Sequence, residues 1–250
     1  MHARKGVNRS PAAIIIGAGD ATGGAIARAF AVEGLTACVN RRPHNADQLE
    51  ALAKSIRVQG YKSRAFPGDA RSEAEMVALF EQVEAEVGPV EVAVFNIGAN
   101  VNFPITETTV RVYQKVWEMA CLGGFLMGRE AARHMAPRGR GTIIFTGATA
   151  SLRGGSGYSA FSGAKAALRM LAQSMARELG PKGIHVAHTV IDGAIDTEFI
   201  KGRHPAFDEA KAADLILSPE AIAANYVMLH KQPRSAWTHE LDLRPWGENW

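Results

Sequence analysis

The glycine cluster Gly17-Ala18-Gly19-Asp20-Ala21-Thr22-Gly23-Gly24 narrows what this chain can fold into more than any other feature of its 250 residues. It stands directly after Ala12-Ala13-Ile14-Ile15-Ile16, a short apolar run rich in β-branched residues that reads as a buried strand. Helical text follows from Thr22 to Glu33 and stops at Gly34, a natural C-terminal cap. A strand that turns on glycine into a helix lets the backbone approach a phosphorylated ligand closely. The helix N-terminus then offers free N–H groups and partial positive charge. A turn without a ligand is the ordinary alternative, but the place at the head of a strand–helix–strand unit favours the phosphate site.

The same alternation continues along the chain. Leu35–Asn40, Tyr61–Phe66, Val90–Asn96, Thr142–Thr146, Ile184–Val190 and His239–Leu243 read as strands. Between them, Asn45–Gln59, Ser72–Val87, Thr106–His134, Tyr158–Leu179 and Pro219–His230 read as helices, with Ser72 and Glu75 at capping-box spacing. Repeated strand–helix–strand units predict a single α/β domain over residues 1–250. Its fold is a doubly wound Rossmann-type sheet of about seven mostly parallel strands with helices on both faces. The polar segment Thr197–Ser218 breaks the rhythm and reads as a lid over one edge, or else as a long connecting loop.

Composition removes several classes of function. Hydrophobic residues at 47% and charged residues at 21% exclude wholesale disorder. A net charge of +3 from 28 basic and 25 acidic residues gives no case for nucleic acid as a partner. No apolar run approaches membrane-spanning length, and Arg4, Lys5 and Arg9 are not followed by a signal core. Two cysteines, Cys38 and Cys121, build no disulfide framework. Together these predict a cytoplasmic protein whose partner is a small molecule. No metal site is predicted: His185 and His188, three apart on a strand, point to opposite faces, and no other histidine sits at ligand spacing. Ser162-Gly163-Ala164-Lys165 matches an acyl-enzyme signature but lacks its companion motifs.

Gly17-x3-Ala21-x-Gly23 followed by Ala25-Ile26-Ala27 resembles the nucleotide turn of the short-chain dehydrogenase/reductase family, with Ala21 in place of the usual middle glycine and Asp20 available to cap the helix. The resemblance extends along nearly the whole chain. Asp69-Ala70 follows the third strand, where the family places an aspartate on the adenine. Phe95-Asn96-Ile97-Gly98 is similar to Asn-Asn-Ala-Gly, Phe161-x3-Lys165 stands for Tyr-x3-Lys, and Asp192-Gly193-Ala194-Ile195-Asp196-Thr197 resembles Pro-Gly-x-x-x-Thr, which holds the nicotinamide amide. The resemblance implies a dinucleotide held by Gly17, Asp20, Ala21, Thr22, Gly23, Asn40, Arg41, Arg42, Asp69, Ala70, Asn96, Ile97, Gly98, Lys165, Gly193, Ile195 and Thr197. At the end of the second strand, an NAD enzyme usually carries an acidic residue for the ribose hydroxyls. Here Asn40 is followed by Arg41 and Arg42, and guanidinium pairs with a 2′-phosphate, so NADP(H) is expected over NAD(H). A solvated arginine pair is the alternative.

The resemblance also locates the reacting groups, and most are absent. The tyrosine position holds Phe161, the serine position thirteen residues earlier holds Ala148, and the asparagine position falls on Cys121; Lys165 alone remains. Losing acid–base assistance costs about 10²- to 10⁴-fold. Replacement groups are few. Tyr158 lies seven residues before Lys165, roughly 10 Å along a helix axis against about 6 Å for the usual spacing. Cys121, the carboxylate of Asp192, which stands where proline is usual, water and the substrate itself complete the candidates. Cys121, Ala148, Phe161 and Asp192 are expected around the substrate. Two functions remain open. One is an oxidoreductase with a non-standard proton donor, acting on a small carbonyl, alcohol or imine. The other is a catalytically retired NADP-binding module serving as partner subunit or sensor. Family resemblance further implies a homodimer or homotetramer, joined through the long helices and the tail His239–Trp250, which holds Trp246 and Trp250 and is preceded by Trp237.

Overall fold

The computed structural model describes residues 9–248; Arg4, Lys5 and Trp250 lie outside them. Seven strands form one sheet in the order β3-β2-β1-β4-β5-β6-β7. They are β1 (Ala12–Ile16), β2 (Thr36–Arg41), β3 (Ser63–Pro67), β4 (Val90–Phe95), β5 (Gly141–Thr146), β6 (Ile184–Ile191) and β7 (Glu240–Leu243). Every pairing is parallel. A parallel sheet must be covered on both faces, which is why β1 and β6 are buried at every position. One face packs against α3 (Glu73–Glu86), α5 (Gly123–Met135) and α6 (Ser159–Leu179), and meets Ile14 and Ile16. The other packs against α1 (Thr22–Val32), α2 (Ala46–Val58) and α9 (Pro219–Lys231), and meets Ala13 and Ile15. The period-two alternation of β1 thus serves two cores at once.

Several boundaries differ from the sequence expectation for local reasons. Tyr61 and Lys62 precede β3. The long helix begins as α4 (Val110–Trp117), not at Thr106, because the Thr109 hydroxyl accepts the Val112 N–H at 3.2 Å and caps it. A π turn, Glu118–Leu122, joins α4 to α5 and carries Cys121. Ser72 does cap α3, but Glu75 accepts from the Asp69 N–H at 2.9 Å, leaving only half a capping box. Thr197–Ser218 holds two short helices, α7 (Glu198–Lys201) and α8 (Phe207–Ala212), and a bridge between Ile195 and Leu217 joins its two ends. In the tail, Trp237 stacks on His185 of its own chain at 4.8 Å, whereas Trp246 is largely exposed. Among the described residues no helix is long and apolar enough to cross a membrane.

A half-buried cluster of polar side chains ties β6, β7 and α6 together. His188 Nδ1 donates to Glu240 at 3.0 Å, and Arg169 binds the same carboxylate through Nε and Nη2 at 2.6 and 2.7 Å. Burial pushes His188 down to about 4, while Arg169 holds Glu240 below the ordinary glutamate range. Both depressed groups act with the same sign. The unfolded chain takes up more protons, so their stabilisation is present above the unfolded pKa values and is lost on acidification. For His188 the window runs from about 6.5 down to about 4. The urea midpoint should therefore fall across that window, and His188→Gln should flatten the slope, removing about 1–3 kcal/mol of pH dependence. An unchanged slope in the variant would refute the assignment.

Candidate active site

The strand order reverses between β1 and β4, and the crevice at the carboxyl ends of a parallel sheet opens there. Gly17 ends β1 with φ +80°, and a Cβ at this position would lie 2.8 Å from Asn96 O. A Cβ on Gly23 would lie 2.5 Å from Gly17 O. These two contacts require glycine and let the turn fold tightly against the start of α1. Ala21 occupies the N-cap of α1 at φ −91°, a negative φ that does not call for glycine. It supplies no side-chain cap, so the first-turn N–H groups face the crevice without a side-chain partner. Asp20 does not cap the helix as the sequence suggests: its carboxylate is drawn to Arg41, with Nη1 at 3.6 Å.

Two cavities meet at this turn and share Ile97. The smaller, about 150 Å³, is lined by Gly17, Asn40, Arg41, Arg42, Asp69 and Ala70 among others. Asn40 is buried and structural, its amide donating to Phe66 O at 2.8 Å. Asp69 is engaged by Arg71, which donates to it through Nε and Nη2 at 3.0 and 2.6 Å and holds its carboxyl below the usual range. Arg71, absent from the sequence expectation, is therefore a third guanidinium at this end. Its only sequence sign is the two-residue spacing from Asp69.

The larger cavity, about 570 Å³, is lined by Thr22, Asn96, Ile97, Gly98, Gly193, Ile195 and Thr197 on one side, and by Ala148, Thr149, Arg153, Tyr158, Phe161 and Lys165 on the other. Lys165 is fully buried and donates to Ile97 O at 2.9 Å and Thr146 O at 2.8 Å; desolvation pushes it down to about 7. The Phe161 ring centroid lies 5.9 Å from Lys165 Nζ. Ala148 is extended, and its N–H donates to Ser151 Oγ at 3.1 Å. Tyr158 holds the N-cap position of α6 on the cavity wall.

Two expected pocket residues are not on that wall. Cys121 packs among Val116, Ala120, Ala160, Phe161 and Ala164, and burial pushes its thiol up, away from the reactive thiolate. Asp192 lies buried behind Thr149, whose hydroxyl donates to Oδ1 at 2.5 Å; Oδ2 has no hydrogen-bond partner. Gly23 and Ala21 shape the turn without lining either cavity. Arg153, also unforeseen, sits in a Leu-Arg-Gly-Gly loop with no periodic signal to reveal it. Among the described residues no cluster of metal-ligating side chains occurs.

Comparison with known proteins agrees with this geometry. The family model for short chain dehydrogenases matches residues 11–206. The chain is 34% identical over 220 residues to the short-chain dehydrogenase/reductase eriH of Hericium erinaceus, covering 85% of this chain and 87% of that one. It is 30% identical to a cis-4-hydroxycyclohexanecarboxylate dehydrogenase of Sinomonas cyclohexanicum, with 76% and 75% covered. A solved short-chain dehydrogenase from Rhodopseudomonas palustris superposes with a TM-score of 0.82 at 48% identity, over 95% of this chain and all of that one. The family match over most of the chain and the 34% identity over 220 residues place it plainly: the chain belongs to the short-chain dehydrogenase family.

Proposed function

We propose that the chain is an NADP(H)-dependent oxidoreductase acting on a small carbonyl, alcohol or imine, with a proton carrier other than tyrosine. The observation that carries this reading is a pair of adjoining cavities that share Ile97. Between them they extend from Arg41, Arg42 and Arg71, past the uncapped start of α1, to Lys165 and Thr197. The residues fit the group: two glycines hold open a cradle that a Cβ would fill, and three guanidiniums surround the end where a 2′-phosphate would lie. When bound, the dinucleotide supplies or accepts the hydride.

The chain itself must orient the substrate, exclude water and place a proton on the substrate oxygen. Lys165 and Tyr158 are the ionisable groups on the wall that match this task, and Lys165 keeps one ammonium proton beyond the two given to Ile97 O and Thr146 O. Desolvation brings its ammonium near neutrality, where an acid is both populated and able to give up its proton. Carbonyl reduction should then decline as pH rises through about 7, since the neutral amine has no proton to donate.

The test is loss of NADPH absorbance with ketones, aldehydes, diketones, quinones and imines, run with parent, Lys165→Met, Tyr158→Phe and Cys121→Ala proteins. Turnover that Lys165→Met abolishes and Cys121→Ala retains is the expected outcome. The absence of hydroxyls at Phe161 and Ala148 favours a second reading, a retired cofactor-binding module. NADPH binding without turnover of any substrate would select it, and no NADPH binding would defeat both.

A further inference from the structure

We propose that the larger cavity takes a substrate bearing a carboxylate, and that Arg153 holds it. The assignment rests on reading this cavity as the substrate site and names the class of molecule it accepts. Arg153 lines the cavity with its side chain 47% exposed. Its backbone N–H donates to Thr149 O at 3.1 Å, and its guanidinium makes no hydrogen bond to any described residue. Its charged neighbour is Asp192, with Nη2 at 3.6 Å from Oδ1, an ion-pair distance beyond a hydrogen bond. A guanidinium carries five donors in a planar fork and stays charged at any working pH, so this fork is available.

The rest of the wall leaves that role to Arg153. Lys165 is committed to two backbone carbonyls. Asp192 lies behind Thr149, not on the wall, and among the described lining residues there is no carboxylate to repel an anion. Asp192 instead keeps Arg153 beside the cavity by charge, engaging it loosely enough that a planar two-oxygen acid can take the donors. Ala148, Ala150, Phe161 and Ile200 supply apolar surface nearby. The molecule that suits this wall has an apolar body, one carboxylate at Arg153, and its reacting C–O group elsewhere in the cavity.

Calorimetric titration with benzoate, benzamide and phenyl phosphate, with and without NADP⁺ present, tests the assignment through binding alone. Benzoate should bind at least about tenfold tighter than benzamide. Arg153→Gln should erase that difference, and Arg153→Lys, which keeps charge without the fork, should restore part of it. Equal binding of benzoate and benzamide, or full benzoate affinity in Arg153→Gln, would show that Arg153 only neutralises Asp192. Tighter binding of phenyl phosphate than of benzoate would overturn the carboxylate. Because no turnover is read, failure of hydride transfer leaves the result intact, and failure to bind NADP⁺ shows separately in the same instrument.

Discussion

The double variant Phe161→Tyr/Ala148→Ser should reduce ketones with NADPH about 10²- to 10⁴-fold faster than the parent, the range that a positioned acid contributes. The expectation follows from where the two side chains sit. Phe161 and Lys165 are four apart on α6, so they share a face, and the ring already lies 5.9 Å from the ammonium. A hydroxyl on that ring would share a helix face with the Lys165 amine, and while that group is charged it favours phenolate and turns a weak acid into a more useful one. Ala148 lies on the same wall with extended backbone, where a serine hydroxyl can polarise the substrate oxygen without strain.

The single variants separate the contributions. Phe161→Tyr alone should provide most of the gain, since it supplies the proton, and Ala148→Ser alone should provide little. The pH profile carries a second signature. On the proposed reading the parent loses reduction above about 7, as Lys165 loses its proton. The introduced tyrosine should carry activity to higher pH, because the phenol then gives the proton even where Lys165 is neutral. A double variant with parent-like rate and an unchanged midpoint of unfolding would mean that proton delivery is not what limits this chain. It would also mean that Phe161 and Ala148 are not the family's reacting positions.

The parts of the molecule legible from sequence are those with a local cause. The glycine turn, the strand–helix alternation and the Ser72 cap all depend on residues within a few positions of one another, and they stand where their periodicity and turn chemistry place them. What escapes the sequence is decided by partners distant along the chain. Asp20 is well suited to cap α1, yet Arg41, brought alongside by the β1–β2 pairing, takes its carboxylate. Glu75 has the spacing for a capping box and instead serves the Asp69 N–H. Thr149 meets Asp192 only because the end of β6 lies beside the turn after β5. The π turn at Cys121 changes hydrogen-bond register without any compositional mark. Lys165 is assigned from a motif, but its desolvation is a property of the folded core alone.

Arg41→Ala should weaken NADP⁺ binding by about 10- to 100-fold and leave NAD⁺ binding within about twofold, on the basis of the strength of charge-assisted bonds to phosphate. Arg41 is the strongest candidate for this discrimination because one of its nitrogens, Nη1, is buried without a hydrogen bond and so lacks a partner that a phosphate oxygen can supply. Its present neighbour Asp20 is a poor substitute. At 3.6 Å it makes an ion pair and no hydrogen bond, and its side chain is 80% exposed, so it can swing into solvent at small cost. Asp20 nevertheless opposes a second anion beside it. Asp20→Asn should therefore tighten NADP⁺ severalfold, with no effect on NAD⁺, and do so more at low ionic strength than at high, since exposed charges are screened. Arg42 is exposed and Arg71 is already bound to Asp69, so neither should match the Arg41 effect. The argument is one of difference: a loss shared equally by NADP⁺ and NAD⁺ would place Arg41 in the architecture of the turn, and equal affinity of the parent for both dinucleotides would remove the 2′-phosphate from the site altogether.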